Sequence, residues 1–367
     1  MIYIHIPFCK SRCLYCDFFS STSHARKEDF VRALKQEMKG RAAELLNARA
    51  NTIYVGGGTP SQLNMAQISE IFSVLQEIVP LAQGAEVTME CNPDDVTETF
   101  LEGLAETPVN RVSMGVQTLD DDLLRLLGRR HDSAQARNAV HMLRQAGYSN
   151  ISLDLMYGLP GQTMDMWKRD VDELLSMQVP HLSAYSLQWE EGTPLYQMQE
   201  RGEVAEAPEE LSLEMYRYLV EATSKAGMEH YEISNFAMPG MRARHNSGYW
   251  RNEPYVGLGP GAHSYDGERR RSSNAPELDA YIQADGMPRQ EVEELDDDSF
   301  YEEQVLKGLR TIDGLDLESL LPKYRDYALK MARAHMESGR LVIFGHVLRL
   351  TEDGIFVSND IMSDMML

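Results

Sequence analysis

The sequence predicts an α/β protein, a parallel sheet covered by helices, followed by a small, mainly helical C-terminal unit. Three observations predict it. Short apolar strands alternate with helical stretches six times before Trp189. Several of those strands run into Gly-rich or polar turns. After an acidic run at Glu291–Asp298 the pattern changes to helices and a hairpin.

Each element follows in turn. Tyr3–Ile6 is the first strand. A cysteine-bearing loop leads to a helix over Asp29–Asn47, with Phe30, Leu34, Met38 and Leu45 on one face. Thr52–Val55 is a buried-strand pattern ending in Gly56-Gly57-Gly58-Thr59-Pro60, and a helix follows near Met65–Glu77. Glu86–Glu90 is a strand with its helix near Glu98–Ala105. Arg111–Gln117 is a strand followed by helices over Asp120–Leu127 and Ser133–Ala146. Asn150–Tyr157 ends in Gly158-Leu159-Pro160-Gly161, and Met164–Ser176 is its helix. His181–Leu187 is the sixth strand. Apolar strands alternating with helices call for a parallel sheet. Propensity leaves an open doubly wound sheet and a partial barrel both standing. Past Trp189 come a helix over Glu209–Lys225, a strand over His230–Phe236 and a Gly- and aromatic-rich loop over Met238–Tyr265. The Glu291–Asp298 run reads as a solvated linker or helix N-terminus, because like charges resist packing. Helix, short helix, helix and a hairpin of Arg340–Phe344 with His346–Leu350 make a winged-helix-like unit. The expected domain limits are 1–190, 191–290 and 291–367.

Composition narrows the function classes. Hydrophobic residues make up 43% and charged residues 25%, the globular range, so a disordered chain is excluded. The net charge of −22 argues against a broad nucleic-acid footprint, which needs clustered Lys and Arg. No apolar run approaches the ~20 residues of a membrane span. No secretory pattern opens the chain, so a cytoplasmic location is expected. The 4 cysteines are too few for a disulfide scaffold.

Three of them form Cys9-Lys-Ser-Arg-Cys13-Leu-Tyr-Cys16. Three thiolates on one loop suit three irons of a [4Fe–4S] cluster, leaving the fourth iron open to an outside ligand. A structural zinc site is the alternative, but it wants four protein ligands. The one neighbouring candidate, His5, lies within a predicted strand. Cys91 is isolated and reads as a small buried hydrophobe.

The segment Tyr3-Ile-His5-Ile-Pro7-Phe8-Cys9-x3-Cys13-x-Tyr15-Cys16-Asp17-Phe18 resembles the cluster loop of radical S-adenosylmethionine (SAM) proteins. It resembles in particular the branch holding oxygen-independent coproporphyrinogen III oxidase and the haem chaperones. The resemblance continues through Gly56–Pro60, Glu90–Pro93, Ser113–Gln117, Asp154–Pro160 and His245–Trp250, nearly the whole chain. It implies a partial (β/α)6 barrel, a [4Fe–4S] cluster on Cys9, Cys13 and Cys16, and SAM on the open iron. It also implies SAM contacts at Tyr3, Gly57, Gly58, Thr59, Glu90, Gln117, Arg129 and Asp154. The residue types agree: Gly permits close backbone approach, carboxylates accept from hydroxyls and amines, and Arg forks onto a carboxylate.

Two features divide the branch. The oxidase pattern has a fourth cysteine where this chain has Phe18. The chain also opens at its first strand, without the N-terminal extension the oxidase uses. Both favour the haem-chaperone side, as does His245-Asn-Ser-Gly-Tyr249-Trp250, the family's haem-linked pattern. Imidazole is a usual haem ligand, so His245 is the candidate, flanked by Tyr249 and Trp250 as stacking partners. His263 competes for the role, and Arg269-Arg270-Arg271 is a weaker candidate for the propionates. The expected function is therefore haem binding and transfer to an acceptor protein, possibly a respiratory one. No catalytic residue is assigned. The competing readings are radical decarboxylation of coproporphyrinogen III and, on the winged-helix-like tail alone, nucleic-acid modification.

Overall fold

The computed structural model describes residues 1–367. Six parallel strands form its centre: β1 (Ile2–Ile6), β2 (Ala50–Gly57), β3 (Leu81–Cys91), β4 (Arg111–Gln117), β5 (Ile151–Tyr157) and β6 (His181–Ser186). They lie side by side in sequence order, each paired with the next. A doubly wound sheet would reverse its order part-way. Sequential order with parallel pairing instead keeps every crossover on one face, so the sheet curls as a partial barrel. Helices such as Met65–Ile78, Ser133–Gln145 and Met164–Ser176 follow the strands, each opened by a side-chain cap at Asn64, Asp132 or Thr163.

The strands have two unlike faces. In β4 the residues Val112, Met114 and Val116 are buried in the main apolar core, together with helix residues such as Phe72, Leu143 and Trp167. Their alternates Arg111, Ser113, Gly115 and Gln117 line an internal cavity. The period-two geometry of a strand enforces this division. β5 repeats it, with Leu153 and Leu155 in the core and Asp154 on the cavity.

The sheet is larger than the six expected strands. β7 (Glu229–Glu232) and β8 (Asn235–Ala237) extend it antiparallel beyond β6, and β9 (Val256–Leu258) pairs parallel with β1. The expected strand His230–Phe236 is therefore a tight hairpin. The expected loop Met238–Tyr265 holds a helix, Arg244–Trp250, as well as β9 and β10 (His263–Tyr265). The acidic run is not a linker. Gln290–Glu294 is a strand, β12, paired with β11 (Arg270–Asn274), where Arg270 and Arg271 face Glu294 and Glu293 across the ladder. Opposite charges directly across a pair stabilise the pairing. The helix-N-terminus reading does hold one step later, because Asp296 caps the helix Asp297–Leu309.

The expected helix Asp29–Asn47 is two helices, Lys27–Gly40 and Ala42–Ala48. The break at Arg41 has a cause. Arg41 turns inward and donates to Glu37 (3.0 Å), to the Gly257 carbonyl (2.7 Å) and to Ser264 (3.0 Å). Glu37 in turn accepts from Tyr281, Asn274 and the Gly259 N–H. This buried network ties the first helix to the segment that follows β9.

At the C-terminus, helices Asp297–Leu309 and Pro322–Glu337 enclose a separate apolar cluster around Tyr301, Val305, Ala328 and Leu348. The hairpin strands Leu341–Phe344 and Val347–Leu350 form as expected. The expected short second helix does not. Leu315–Asp316 is a strand on the hairpin, reached by a positive-φ turn at Gly314, where a Cβ would lie 2.5 Å from Val347. Arg310 joins this unit to the barrel through Glu232 (3.3 Å) and the Trp250 ring (4.9 Å).

Glu37→Ala would leave the buried Arg41 guanidinium with the half-exposed Glu44 as its one carboxylate and would unpartner Tyr281, Asn274 and the Gly259 N–H. The expected loss is about 3–5 kcal/mol, the cost of breaking a buried pair on one side. Urea unfolding midpoints check this, and a loss below about 1 kcal/mol would mean that Arg41 is solvated instead.

Candidate functional site

A cavity of about 810 Å³ lies inside the curl of the sheet, at and below the C-terminal ends of the strands. That size suits one or more small ligands. Its mouth carries Cys9, Cys13, Cys16 and Phe18, and its inner end carries His245, Asn246 and Tyr249. Tyr3, Gly57, Gly58, Thr59, Glu90, Gln117, Arg129 and Asp154 all lie on its walls.

The cysteine loop is pinned from several directions. Cys9 N–H donates to Ser21, Leu14 N–H to Leu127, and Leu195 N–H to Leu14. The three thiols are half-buried and free of disulfides. Burial pushes the Cys16 thiol up to about 11. No three His, Cys, Asp or Glu side chains converge closely enough to hold a single metal ion.

The β2 turn lies directly against this loop. Gly58 N–H donates to the Ile6 carbonyl and Thr59 N–H to the Phe8 carbonyl. Gly57 has φ +105°, and a Cβ there would lie 2.5 Å from the His5 ring; at Gly58 it would meet the Phe8 carbonyl at 2.8 Å. The glycines are thus already required by the protein's own packing. Thr59 Oγ1 reaches the Cys9 sulfur at 3.6 Å and accepts from Asn92 at 3.3 Å.

Arg129 links the thiols to the strand ends. It donates to the Cys13 sulfur (3.4 Å), to Asn92 (2.6 Å) and to the Gly115 carbonyl (2.6 Å), while its Nε has no partner. Burial alone would lower its pKa, and Tyr15 and Cys13 beside it more than reverse that. Gln117 holds φ +70° at a register shift between β4 and β5. Such strained backbone persists where the surroundings over-determine it, often at ligand sites.

Two carboxyls face the cavity. Glu90 accepts from the Tyr54 hydroxyl (2.6 Å) and the Gly57 N–H (3.2 Å). Burial still raises it to about 7, with Asp154 adding repulsion. Asp154 is raised to about 6, again by burial, against the pull of Ser183 and the charges of Arg111 and Arg129. Tyr3 stacks on Tyr54 and shares a hydrogen bond with His5 (3.0 Å).

The aromatic-rich motif is split by its helix. His245 is 1% exposed, with Nδ1 on Thr52 (2.8 Å) and Nε2 on the Tyr249 hydroxyl (2.9 Å). Both ring nitrogens are engaged within the protein in this conformation. Trp250 is not on the cavity and packs under Arg310. His263 is exposed and off the cavity. Arg269 and Arg271 pair with Asp297 and Glu303 on the C-terminal helix. Cys91 is buried, as expected of a small hydrophobe.

Comparisons with known proteins decide the family. Residues 3–174 match the Radical SAM superfamily. A Lactococcus lactis protein named Heme chaperone HemW is 38% identical over 325 residues, covering 88% of this chain and 84% of that protein. The Bacillus subtilis protein of the same name is 38% identical over 327 residues, covering 88% and 86%. The chain belongs to the HemW family of radical SAM proteins. The solved structure of Escherichia coli coproporphyrinogen III oxidase (HemN) shares the fold, with a TM-score of 0.85 over 99% of this chain and 89% of that one at 22% identity.

Membership in the radical SAM superfamily implies a [4Fe–4S] cluster and SAM, and the residues fit both. Three thiols spread along one loop suit separate irons rather than one shared ion. The unpartnered Arg129 Nε and the raised Glu90 and Asp154 are groups that a polar ligand would satisfy. Motif spacing does not mark the polar residues that alternate inside the strands. Arg111, Ser113, His181 and Ser183 line the cavity. The signal was present, since Arg and Ser alternate with Val and Met in Arg111–Met114. No helix is long and apolar enough to cross a membrane.

A carboxyl raised in the fold opposes folding once ionised, so the Glu90 contribution to stability is fully present below its ordinary pKa of 4.5 and is lost as pH rises through about 7. Glu90→Gln is expected to lessen the fall in stability of the cluster-free chain across that window. Urea midpoints at several pH values check it, and an unchanged slope would show that Glu90 ionises as in water.

Proposed function

We propose that this chain is a haem carrier built on a radical SAM core, which holds haem in the cavity and delivers it to an acceptor haem protein. One observation carries the reading: the His245–Trp250 helix forms the inner wall of the same cavity whose mouth bears the three cysteines. The HemW names of the relatives support it. So does Phe18, which is 66% exposed at the mouth where the oxidase pattern has a cysteine. An exposed ring there offers an apolar face to a porphyrin.

In this reading Cys9, Cys13 and Cys16 hold the cluster. SAM lies along Tyr3, Gly57, Gly58, Thr59, Glu90, Gln117, Arg129 and Asp154. Together the two groups supply one-electron chemistry when bound. The chain's own residues position them. Thr59 steadies the Cys9 sulfur and Arg129 offsets the charge at Cys13. Glu90 and Asp154 accept from hydroxyl and amino groups, and their raised pKa values let either carry a proton near neutrality. His245 is the candidate haem ligand, and binding iron would require its ring to give up the hydrogen bond to Thr52 or to Tyr249. We place the carrier in the cytoplasm, with a respiratory acceptor at the membrane.

Anaerobic reconstitution followed by haem titration tests the function. The expected result is saturation near one haem per chain and transfer to an apo-acceptor. Cys13→Ala is expected to lose the [4Fe–4S] absorbance, and a full cluster in that variant would overturn the ligand set. If the wild-type chain shows no saturable haem binding, the carrier reading falls and coproporphyrinogen III becomes the substrate to assay.

A further inference from the structure

Arg111 opens β4 and points into the inner part of the cavity, and nothing so far gives it a task. It is 2% exposed, and its Nε has no hydrogen-bond partner. Glu90 and Asp154 act on it only at a distance. Arg129, by contrast, has three contacts of its own. A second unpartnered group adjoins Arg111: Thr88 pairs with it across the ladder, and the Thr88 hydroxyl is also buried without a partner.

A buried guanidinium left unpaired is costly and calls for a reason. Its surroundings show what would supply one. Ser113, Ser183 and Asn235 line the same cavity and can donate hydrogen bonds, Ser113 and Ser183 also serving Asp154. His181 and His245 are held neutral, first by burial and then by neighbouring positive charge that includes Arg111 itself. Glu90 and Asp154 lie beside Ser113 and Ser183 on the same cavity, but neither pairs with Arg111, so the guanidinium stays open to an anionic group of a ligand. The planar fork of Arg matches a carboxylate.

We propose that Arg111 anchors a carboxylate of the cavity ligand, namely a propionate of the tetrapyrrole. The proposal rests on the haem-carrier reading and adds to it the direction in which the ligand enters: propionate first, toward the His245–Trp250 helix, with the porphyrin face left nearer Phe18 and Tyr185.

The test compares haem with haem dimethyl ester, whose propionates are blocked, on the cluster-loaded full chain and on Arg111→Gln and Arg111→Lys. The wild-type chain is expected to prefer haem by roughly 10- to 100-fold, the scale of a charge-assisted hydrogen-bonded contact. Arg111→Gln is expected to bind both alike, and Arg111→Lys to keep part of the preference. Arg111→Lys keeps the test standing should the Gln variant not fold. If the wild-type chain binds haem and ester equally, the anchor falls and haem carriage stands. Without saturable haem binding, both fall together. Should Arg111→Gln keep the preference but lose SAM affinity, the guanidinium serves the SAM carboxylate and the proposal is overturned.

Discussion

The structure depends on one constraint: a strand shows alternate residues to opposite faces, and here one face must be apolar and the other polar. Val112, Met114 and Val116 of β4, with Leu153 and Leu155 of β5, belong to the core on one face. The opposite face repeats across the sheet in register. Glu90 stands beside Ser113, Ser113 beside Ser152, and Ser152 beside His181. A slip of one residue in any strand would send charges into the core and apolar groups into the cavity. Core burial therefore fixes the register, and the register fixes the site.

The two ends of the cavity are held by separate devices. At the mouth, the β2 turn lies against the cysteine loop so closely that Gly57 and Gly58 cannot carry a side chain. At the inner end, the Glu86 carboxylate accepts from the backbone N–H groups of Arg244 and His245 at 3.0 and 2.9 Å. Glu86 comes from β3, and Thr52 beside it in the register holds the His245 ring. A carboxylate at a helix start satisfies its free N–H groups. The His245–Trp250 helix is thus fixed to the floor of the barrel, and on its other side Trp250 meets Arg310 of the C-terminal unit.

What the sequence revealed and what it hid follow from the range of the forces involved. The six strands and the cysteine loop were legible because they rest on local periodicity and spacing. The cysteines, Gly57–Thr59, Glu90, Gln117 and Asp154 share one cavity because strand ends converge in parallel architecture, whereas Trp250 and His263 lie off it. The break at Arg41 was not legible, since its cause is a network reaching Gly257, Ser264 and Tyr281, far along the chain. The Gln290–Glu294 strand was hidden for the same reason: a run of acids resists packing only until Arg270 and Arg271 lie across from it. The Thr52 partner of the His245 ring was not legible, because it lies far along the chain on another element. The place of Arg111 is not legible from sequence, because a polar residue at a strand start reads as a surface position unless the strand encloses a cavity.

The polar inner face also explains why such a chain would be incomplete without its ligands. Unpartnered Arg111, Thr88 and Arg129 Nε, and the raised Glu90 and Asp154, are each a cost that the fold bears alone. Apolar residues at those positions would remove the cost and close the cavity. A ligand that satisfies the same groups removes it as well, and its binding energy then adds to folding stability by mass action. Glu90 and Asp154 can accept from the hydroxyl and amino groups of a ligand. The group at the inner end asks for an anion. One cavity holding both demands suits ligand groups of both charges, as a resident cofactor beside a cargo would bring.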